Sequence, residues 1–480
     1  MPRNDSSPTT QLNIRRTVDG KSQSEAATLA ELRRKKMERT SREKLHSDPF
    51  LWGIYLMILV FSVVELYSAS SSDIKNGRVF DPIIQHGIFL LVGLVIIFIM
   101  SNIHYKYYRK TAVWMAVISV VLIVWSMVAG VNINNAQRAI RLAGFTVQPA
   151  EIAKLALVVI LAKVISKFQM PKGVTNKGLI VALLIIALFT MLLFRNGLTN
   201  TILVAGTGLS MLIIGGLQMK KVVLVGIIVI VLGGGVVAAK LTGGDTKQPK
   251  GTATEQTANN MVANEEVEKE VDRSETRKLR IIKYLEGVTP NDKITDDNRQ
   301  VMMSRFALAH GEIWGNGPGN SRENARLPLA YSDYIFSIIV EDTGFLGGCF
   351  LMLMYLSLIG AAGRIAVKCR KAFPALLIMG CAVMIVMQAL MHMAIVVGLA
   401  PVSGQPLPFI SKGGTSVIVM SAALGMMLSV SKFAVRTGKN GESTKLREAV
   451  ADKAEADNPT MLVTKNAEVN NKDNNDPLTY

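Results

Sequence analysis

A single carboxylate stands where a glycine-rich segment meets a long apolar one. The glycine-rich stretch covers residues 311–321, and Asp333 follows it shortly before the apolar run that begins at Ile335. An apolar run of this length predicts a membrane span, so we expect Asp333 at the boundary between an external loop and the membrane. That position suits a residue that handles a substrate with its tail in lipid and its head outside the membrane.

Two interpretations of Asp333 follow from its place in the chain. Aspartate commonly caps the N-terminus of a helix, and Ser332 could share that role. The alternative is a general base, because partial burial at the interface would raise the pKa of the carboxylate and make it more basic.

If Asp333, Ser337 and Glu341 lie on one helix, their four-residue spacing puts them on one face, with Glu341 about 12 Å deeper. Charged groups within spans usually face the bundle interior, so this face is expected to line a polar cavity.

Charged residues around another apolar run form a second candidate cluster. Glu151 and Lys154 are close enough in sequence to meet on one helix face, either as a packing ion pair or as a substrate contact. Arg138 and Arg141 precede them in an external loop. A guanidinium there could bind a diphosphate through two parallel hydrogen bonds, or it could pair with lipid headgroups.

Apolar blocks must position these side chains. Half of the 480 residues are apolar and 19% are charged, so a positive mean hydropathy of +0.32 requires that the apolar residues be concentrated in blocks. This pattern predicts an all-α polytopic membrane protein with ten transmembrane helices. The predicted spans cover residues 51–69, 83–100, 112–129, 152–165, 179–194, 201–217, 222–239, 335–361, 375–397 and 417–430.

Basic residues in the short loops predict the orientation. They fall on alternate sides of the series of spans, and those sides are cytoplasmic. Both termini are therefore expected in the cytoplasm, with residues 1–48 and 437–480 as disordered tails around a membrane domain at 49–436. Residues 240–332, between helices 7 and 8, are expected to form a large extracytoplasmic loop. The formal charge of +17 is then chiefly a signal of topology, and nucleic-acid binding is not expected.

The cysteines and the histidine of the ninth span indicate no metal chemistry. Cys349, Cys369 and Cys381 lie in or beside spans without metal-ligand spacing, so neither a disulfide framework nor a zinc site is expected. His392 is best explained as a hydrogen-bonded histidine between helices. The long polar segment before the first span predicts an uncleaved anchor instead of a signal peptide.

Three motif blocks follow one another along the chain. The first is NAQRAI at 135–140 with QPAEIAK at 148–154, the second covers 300–341, and the third is PVSGQPLPFISKGGTS at 401–416. Together they resemble the SEDS family of shape, elongation, division and sporulation proteins, which includes FtsW and RodA. The family usually has tryptophan where this chain has Ala139, and tyrosine where it has Lys412.

The resemblance implies a peptidoglycan glycosyltransferase that polymerises lipid II outside the cytoplasmic membrane and releases undecaprenyl diphosphate. It implies that Asp333 is the catalytic base. The residues expected to bind substrate are Arg138, Arg141, Gln148, Glu151, Lys154, Gln300, Ser337, Glu341, Ser411 and Lys412. No nucleotide cofactor is needed, because the donor brings its own leaving group. A divalent cation, Mg or Mn, is expected from the family to accompany the diphosphate, although the sequence identifies no ligands for it.

The resemblance also implies partners and a place in the cell. The expected partners are a class B penicillin-binding transpeptidase and other division-complex proteins, at the bacterial inner membrane and the division septum. Long charged tails and the reduced form of a family element at 195–199 favour a division role over a RodA-like role in elongation. The sequence also leaves open a lipid II transporter or a noncatalytic scaffold. It does not clearly show the paired inverted repeats with broken helices that are typical of transporters.

Overall fold

Helices carry most of the chain that the structure describes. The structure is a computed structural model that describes residues 47–69, 81–129, 131–133, 136–142, 145–170, 173–194, 197–217, 221, 284–285, 287, 292–295, 298–324, 326–327, 331–369 and 371–433. Of residues 81–83, 129, 131–133, 136–138, 142 and 145 only the backbone is described.

Ten helices are defined within these residues. In chain order they are α1 (Pro49–Ala69), α2 (Asp81–Asn102), α3 (Tyr105–Ala129), α4 (Pro149–Phe168), α5 (Asn176–Phe194), α6 (Leu198–Ile214), α7 (Arg299–His310), α8 (Ile335–Val367), α9 (Ala372–Val397) and α10 (Gly414–Phe433). Seven of the ten are long and apolar enough to cross a membrane, all except α4, α6 and α7. Helix α6 is apolar but has only 17 residues, whereas α4 has 20 residues and carries charged side chains.

These helices confirm the predicted helical membrane architecture. Nine of the ten predicted spans coincide with helices, and the seventh, 222–239, lies outside the described residues. The fourth and tenth spans are longer than predicted, since α4 and α10 each contain 20 residues. Helix α7 lies within the predicted large loop. The predicted tails lie outside the described residues, apart from Ser47 and Asp48.

Two short antiparallel sheets interrupt the helical pattern. Strands β1 (Val131–Ile133), β2 (Ala136–Leu142) and β3 (Phe145–Val147) connect α3 to α4, and Ile140 pairs with Val147 in the register of β2 and β3. Strands β4 (Gln169–Met170) and β5 (Gly173–Val174) form a hairpin between α4 and α5. The first sheet carries Arg138 and Arg141 on β2, next to the start of α4.

Among the seven helices apolar enough to cross a membrane, α9 and α10 are the most buried. Within their most apolar windows 78% and 83% of the residues are buried, compared with 28% in α2 and 22% in α3. Helix α9 packs against α8, α4 and α6. Small residues bring α10 close to α2: a Cβ at Gly93 would collide with Ser421.

Helix α8 is broken at Gly344, whose φ of 75° and ψ of −179° are not helical. A Cβ added at Gly348 would lie 2.9 Å from Val340 and 3.4 Å from Phe336. In a straight helix these residues would be about 12 and 18 Å apart along the axis, so the two halves fold against each other. We call residues 335–343 α8a and residues 345–367 α8b.

The glycine-rich stretch docks onto this break. The amides of Asn316 and Gly317 donate to the carbonyls of Glu341 and Asp342, at 2.9 and 2.8 Å. In return, the amides of Phe345 and Leu346 donate to the carbonyls of Glu312 and Ile313, at 2.9 and 3.3 Å. The break would otherwise leave these backbone groups without partners, so the loop completes the hydrogen bonding of the interrupted helix.

Glycine is required where these two backbones meet. A Cβ at Gly315 would overlap the Asp342 carbonyl, and a Cβ at Gly344 would overlap the Ile313 carbonyl. Both residues also have positive φ, which costs glycine little. Within the described residues these glycines serve close packing of protein on protein.

Candidate functional site

The three sequence blocks meet at one end of the helix bundle. We call it the upper end: α1 finishes there at Ala69, and α4 begins there at Pro149. The Lys412 amide donates to the Tyr331 carbonyl at 3.0 Å, and the Ser411 hydroxyl donates to the Ser332 carbonyl at 2.7 Å. The third block is thereby joined directly to the residues that precede α8.

The first block is joined to the same place through Thr415. The Gln148 amide donates to the Thr415 hydroxyl at 3.3 Å, and that hydroxyl donates to the Thr146 carbonyl at 2.8 Å. Residues separated by more than 260 positions in the chain therefore share one site.

Asp333 lies in the middle of this junction and is half-buried. Its Oδ1 accepts a hydrogen bond from the Ser332 hydroxyl at 3.0 Å. Its Oδ2 would be 3.1 Å from a Cβ added at Gly404, so the Gly404 backbone passes close to the carboxylate. The N-cap of α8 is Tyr334, so the interpretation of Asp333 as the N-cap residue is wrong.

Asp333, Ser337 and Glu341 do not lie on one helix, because α8 begins at Ile335. The Glu341 carboxylate lies at the loop end of α8a, where it accepts from the Ser321 hydroxyl and from the Arg322 amide at 2.8 Å.

Contacts with α1 show the depth of the residues around Asp333 and Glu341. The segment that contains Gly404 and Phe409 reaches into the bundle, because the Ser62 hydroxyl, within α1, donates to the Phe409 carbonyl at 2.8 Å. Asp342, next to Glu341, instead accepts from Ser68, the penultimate residue of α1 at the upper end of the bundle. Glu341 is therefore not about 12 Å deeper than Asp333, as the straight-helix geometry predicted.

Two predicted substrate ligands have protein partners in this arrangement. Glu341 is fully buried and binds the backbone of the loop that follows the glycine-rich stretch. Ser337 is also buried, and its hydroxyl donates to the Tyr334 carbonyl at 2.7 Å. Both contacts are structural, and substrate contact by these residues stays a prediction.

Glu151 and Lys154 form the predicted ion pair. Lys154 Nζ lies 2.7 Å from Glu151 Oε1, and the side chains are only 1–2% exposed. Lys154 also donates to Gln388 Oε1, and Gln388 Nε2 donates to the Pro406 carbonyl and the Ser416 hydroxyl, each at 3.2 Å. The pair thus supports the segment that passes Asp333.

Gln388 and His392 on α9 are functional candidates that the sequence analysis did not select. His392 Nδ1 lies 2.6 Å from the Gln405 carbonyl, one residue from Gly404. Gln388 holds the next carbonyl, that of Pro406. The hydrogen-bonded role expected for His392 is confirmed. Two polar residues four positions apart in an apolar span were the signal that could have identified both.

Basic side chains stand around the same junction. The Lys412 ammonium is 5.0 Å from the centre of the Tyr331 ring, and the residue is half-buried. Arg141 is exposed on β2, whereas the side chain of Arg138 lies outside the described atoms. Gln300 is half-buried near the start of α7 and takes no part in the hydrogen bonds described above for the junction. The site therefore combines one carboxylate with accessible positive charge.

The structure also bears on how a divalent cation could be held. Among the described residues, no group of three or more His, Cys, Asp or Glu side chains is arranged to hold a metal ion. The described residues therefore offer no site for Mg or Mn that is built from protein ligands alone.

Comparisons with known proteins agree with this architecture. A sequence profile of the FtsW/RodA/SpoVE family of cell cycle proteins matches residues 49–436. The protein named "Probable peptidoglycan glycosyltransferase FtsW" from Trichlorobacter lovleyi is 29% identical over 407 residues, which cover 82% of this chain and 97% of that protein. Stage V sporulation protein E from Bacillus subtilis is 28% identical over 399 residues, which cover 82% of this chain and 98% of that protein.

A solved structure has the same fold. Its description reads "Structural coordination of polymerization and crosslinking by a peptidoglycan synthase complex", and one of its chains matches with a TM-score of 0.63 and 21% identity, over 82% of this chain and 99% of that chain. The profile covers most of the chain, so this multi-pass membrane protein belongs to the FtsW/RodA/SpoVE family, the SEDS family.

Proposed function

We propose that this protein is a peptidoglycan glycosyltransferase that polymerises lipid II into glycan strands and releases undecaprenyl diphosphate. The observation that carries the proposal is the position of Asp333, half-buried where the three family blocks meet and within contact of the Gly404 backbone. The name of the Trichlorobacter lovleyi relative, quoted above, supports the same reaction class.

Asp333 has the chemistry that the reaction requires of a base. A sugar hydroxyl is a weak nucleophile at neutral pH, so a positioned carboxylate must take its proton as the oxygen attacks. The new bond joins that oxygen to the anomeric carbon of the donor, and the bond from this carbon to the diphosphate breaks. The proton passes to Asp333, and the electron pair leaves with the diphosphate.

The departing diphosphate needs positive charge. Lys412 stands at the junction with Asp333, and Arg141 is exposed on the strand that leads into α4. We assign both to the stabilisation of the leaving group. A Mg or Mn ion that accompanied the diphosphate would supply the same kind of charge.

Replacing Asp333 tests the proposal. Purified protein with its cognate class B penicillin-binding protein and lipid II should form glycan strands, and Asp333→Asn should reduce the rate at least about 100-fold because general-base catalysis is lost. Asp333→Glu should keep part of the activity. Glu312→Gln is the matched control, since it neutralises an exposed carboxylate of the glycine-rich stretch. Full activity of Asp333→Asn would eliminate Asp333 as the base.

A lipid II transporter is the second candidate, and the break in α8 favours retaining it. Many secondary transporters use broken helices near a central binding site. A flipping assay in vesicles without the polymerisation step distinguishes the two functions. Transport that survives Asp333→Asn, with no polymer formed by the native chain, would replace the glycosyltransferase proposal.

We propose a role in septal synthesis with a class B penicillin-binding transpeptidase as partner. The FtsW name of a relative and the peptidoglycan synthase complex that contains a similar chain support both parts. A fluorescent fusion should concentrate at midcell before constriction. Distribution along the side wall would assign the protein to elongation instead.

A further inference from the structure

Four large apolar side chains are exposed beside the break in α8. Ile313 and Trp314, at the tip of the docked loop, are 58% and 80% exposed, and Phe345 and Leu346, at the start of α8b, are 62% and 46% exposed. We call these four residues the tip patch. Backbone hydrogen bonds from Phe345 to Glu312 and from Leu346 to Ile313 hold the two pairs side by side.

The tip patch continues the membrane-facing surface of α8b. Phe350 and Leu353 are exposed farther along the helix, whereas the intervening Leu351 is fully buried. This alternation of exposed and buried residues is absent from α8a, where residues 335–342 are all buried. The bilayer-facing surface of α8 therefore begins at the tip patch.

Helix lengths place the tip patch at the membrane surface. The 23 residues from 345 to 367 extend about 34 Å, enough for a hydrocarbon core of about 30 Å. Helix α1 has 21 residues, and Ser68 near its upper end contacts both Asp342 and the Gly319 amide. Two spanning helices thus reach their upper ends at the level of this loop.

The backbone hydrogen bonds of the docked loop and its tryptophan are both suited to a position at the membrane surface. The loop tip shares its backbone hydrogen bonds with the ends of α8a and α8b, which removes the usual penalty for irregular backbone beside lipid. Trp314 adds an indole, which combines an apolar ring with a polar N–H and is enriched at membrane interfaces.

We propose that the tip patch inserts into the membrane interface at the upper end of the bundle, with bilayer lipid as its binding partner. The Trp314 indole lies at headgroup level, and Ile313, Phe345 and Leu346 contact the upper acyl chains. The loop that Glu341 binds is thereby anchored on two sides, by the protein and by the membrane. The proposal does not depend on the reaction proposed above.

Tryptophan fluorescence tests the proposal directly. A variant with Trp52→Phe, Trp114→Phe and Trp125→Phe retains Trp314 as its single tryptophan and is reconstituted in phosphatidylethanolamine and phosphatidylglycerol vesicles that contain brominated phosphatidylcholine. Bromines close to the headgroup should reduce its emission about twofold, and bromines near the chain ends should reduce it less.

A second single-tryptophan variant serves as the depth control. It has all four native tryptophans replaced by Phe and carries Leu91→Trp; Leu91 is 65% exposed and lies at the middle of α2, so bromines deeper in the acyl chains should quench it most. Circular dichroism checks that both variants keep their helical content. Emission from Trp314 that resists every brominated lipid but is quenched by aqueous iodide would overturn the proposal. This readout needs no enzymatic activity, so its failure is separate from failure of the proposed function.

Discussion

At the scale of single residues, the buried Glu151–Lys154 pair is expected to be sensitive to substitution. Glu151→Gln leaves the buried Lys154 ammonium without its counter-ion, and loss of one partner of a buried pair costs about 3–5 kcal/mol. We expect that decrease in the apparent free energy of unfolding in detergent micelles.

Two further variants control this experiment. The double variant Glu151→Gln with Lys154→Met should lose less than the sum of the single variants, because no charge remains buried. Lys167→Met removes an exposed lysine from the same helix and should change stability by less than about 0.5 kcal/mol. Equal effects of Glu151→Gln and Lys167→Met would contradict the importance of the pair.

Lys412 provides a residue-scale test of leaving-group stabilisation. Lys412→Met should lower kcat/KM about 10- to 100-fold, because a charge-assisted contact with the diphosphate is lost, and Lys412→Arg should retain most of the activity. Initial rates of glycan synthesis at several lipid II concentrations give the values. Lys110→Met is a matched control, since Lys110 also stands over a tyrosine ring, that of Tyr107 at 5.7 Å, but outside the junction. A rate unchanged by Lys412→Met would exclude this role.

At the scale of elements, the break in α8 depends on Gly344. Gly344→Ala adds a Cβ that overlaps the Ile313 carbonyl and places alanine at φ 75°, so we expect a loss of about 3 kcal/mol or more and faster proteolysis of the docked loop. Gly360→Ala in α8b is the control, because nothing lies within 4 Å of its Cβ position. That variant should be neutral or stabilised by up to about 1 kcal/mol. The same response from both variants would argue against the docked loop.

The glycine-rich stretch could be recognised from the sequence, but the segment that it packs against, the break in α8, could not. Its composition allows a close backbone approach, and in the sequence it lies shortly before Asp333. The structure shows that Gly315 and Gly344 approach each other's backbone neighbours. A glycine indicates that another group lies close to its backbone. Which group this is depends on the bend in α8 and cannot be read from the glycine itself.

At the scale of the whole molecule, cysteine labelling tests the predicted orientation. Arg322→Cys should react with a membrane-impermeant maleimide in intact protoplasts, whereas Lys106→Cys should react only after lysis, because both positions are exposed at opposite ends of the bundle. The reverse pattern would contradict the orientation.

The native Cys369 gives an internal reference for this experiment. Burial raises the pKa of its thiol to about 11, so the thiol is protonated at neutral pH and should label slowly. Its labelling rate should rise about tenfold for each pH unit until the pH approaches that pKa. Rapid labelling of Cys369 at pH 7 would contradict the raised pKa of this partly buried thiol.

Local sequence was enough to predict the class of the protein, nine spans that coincide with described helices, and the motif blocks that point to the family. These follow from local composition, since about 20 apolar residues in a row are enough to require a helix in lipid. The Glu151–Lys154 pair was also predictable, because helical spacing alone brings the two side chains together.

The residues that surround Asp333 could not be predicted from the sequence and are known only from the three-dimensional arrangement of the chain. Lys154 donates a hydrogen bond to Gln388, which is 234 positions away in the chain. The Glu341 carboxylate accepts a hydrogen bond from the amide of Arg322 in the loop. Helix α8 begins at Ile335, so Asp333 is not part of it. Each outcome depends on a backbone break or on contact between distant segments. Helical periodicity describes neighbours within one straight helix, so it cannot specify a bend or a partner brought in from elsewhere in the chain.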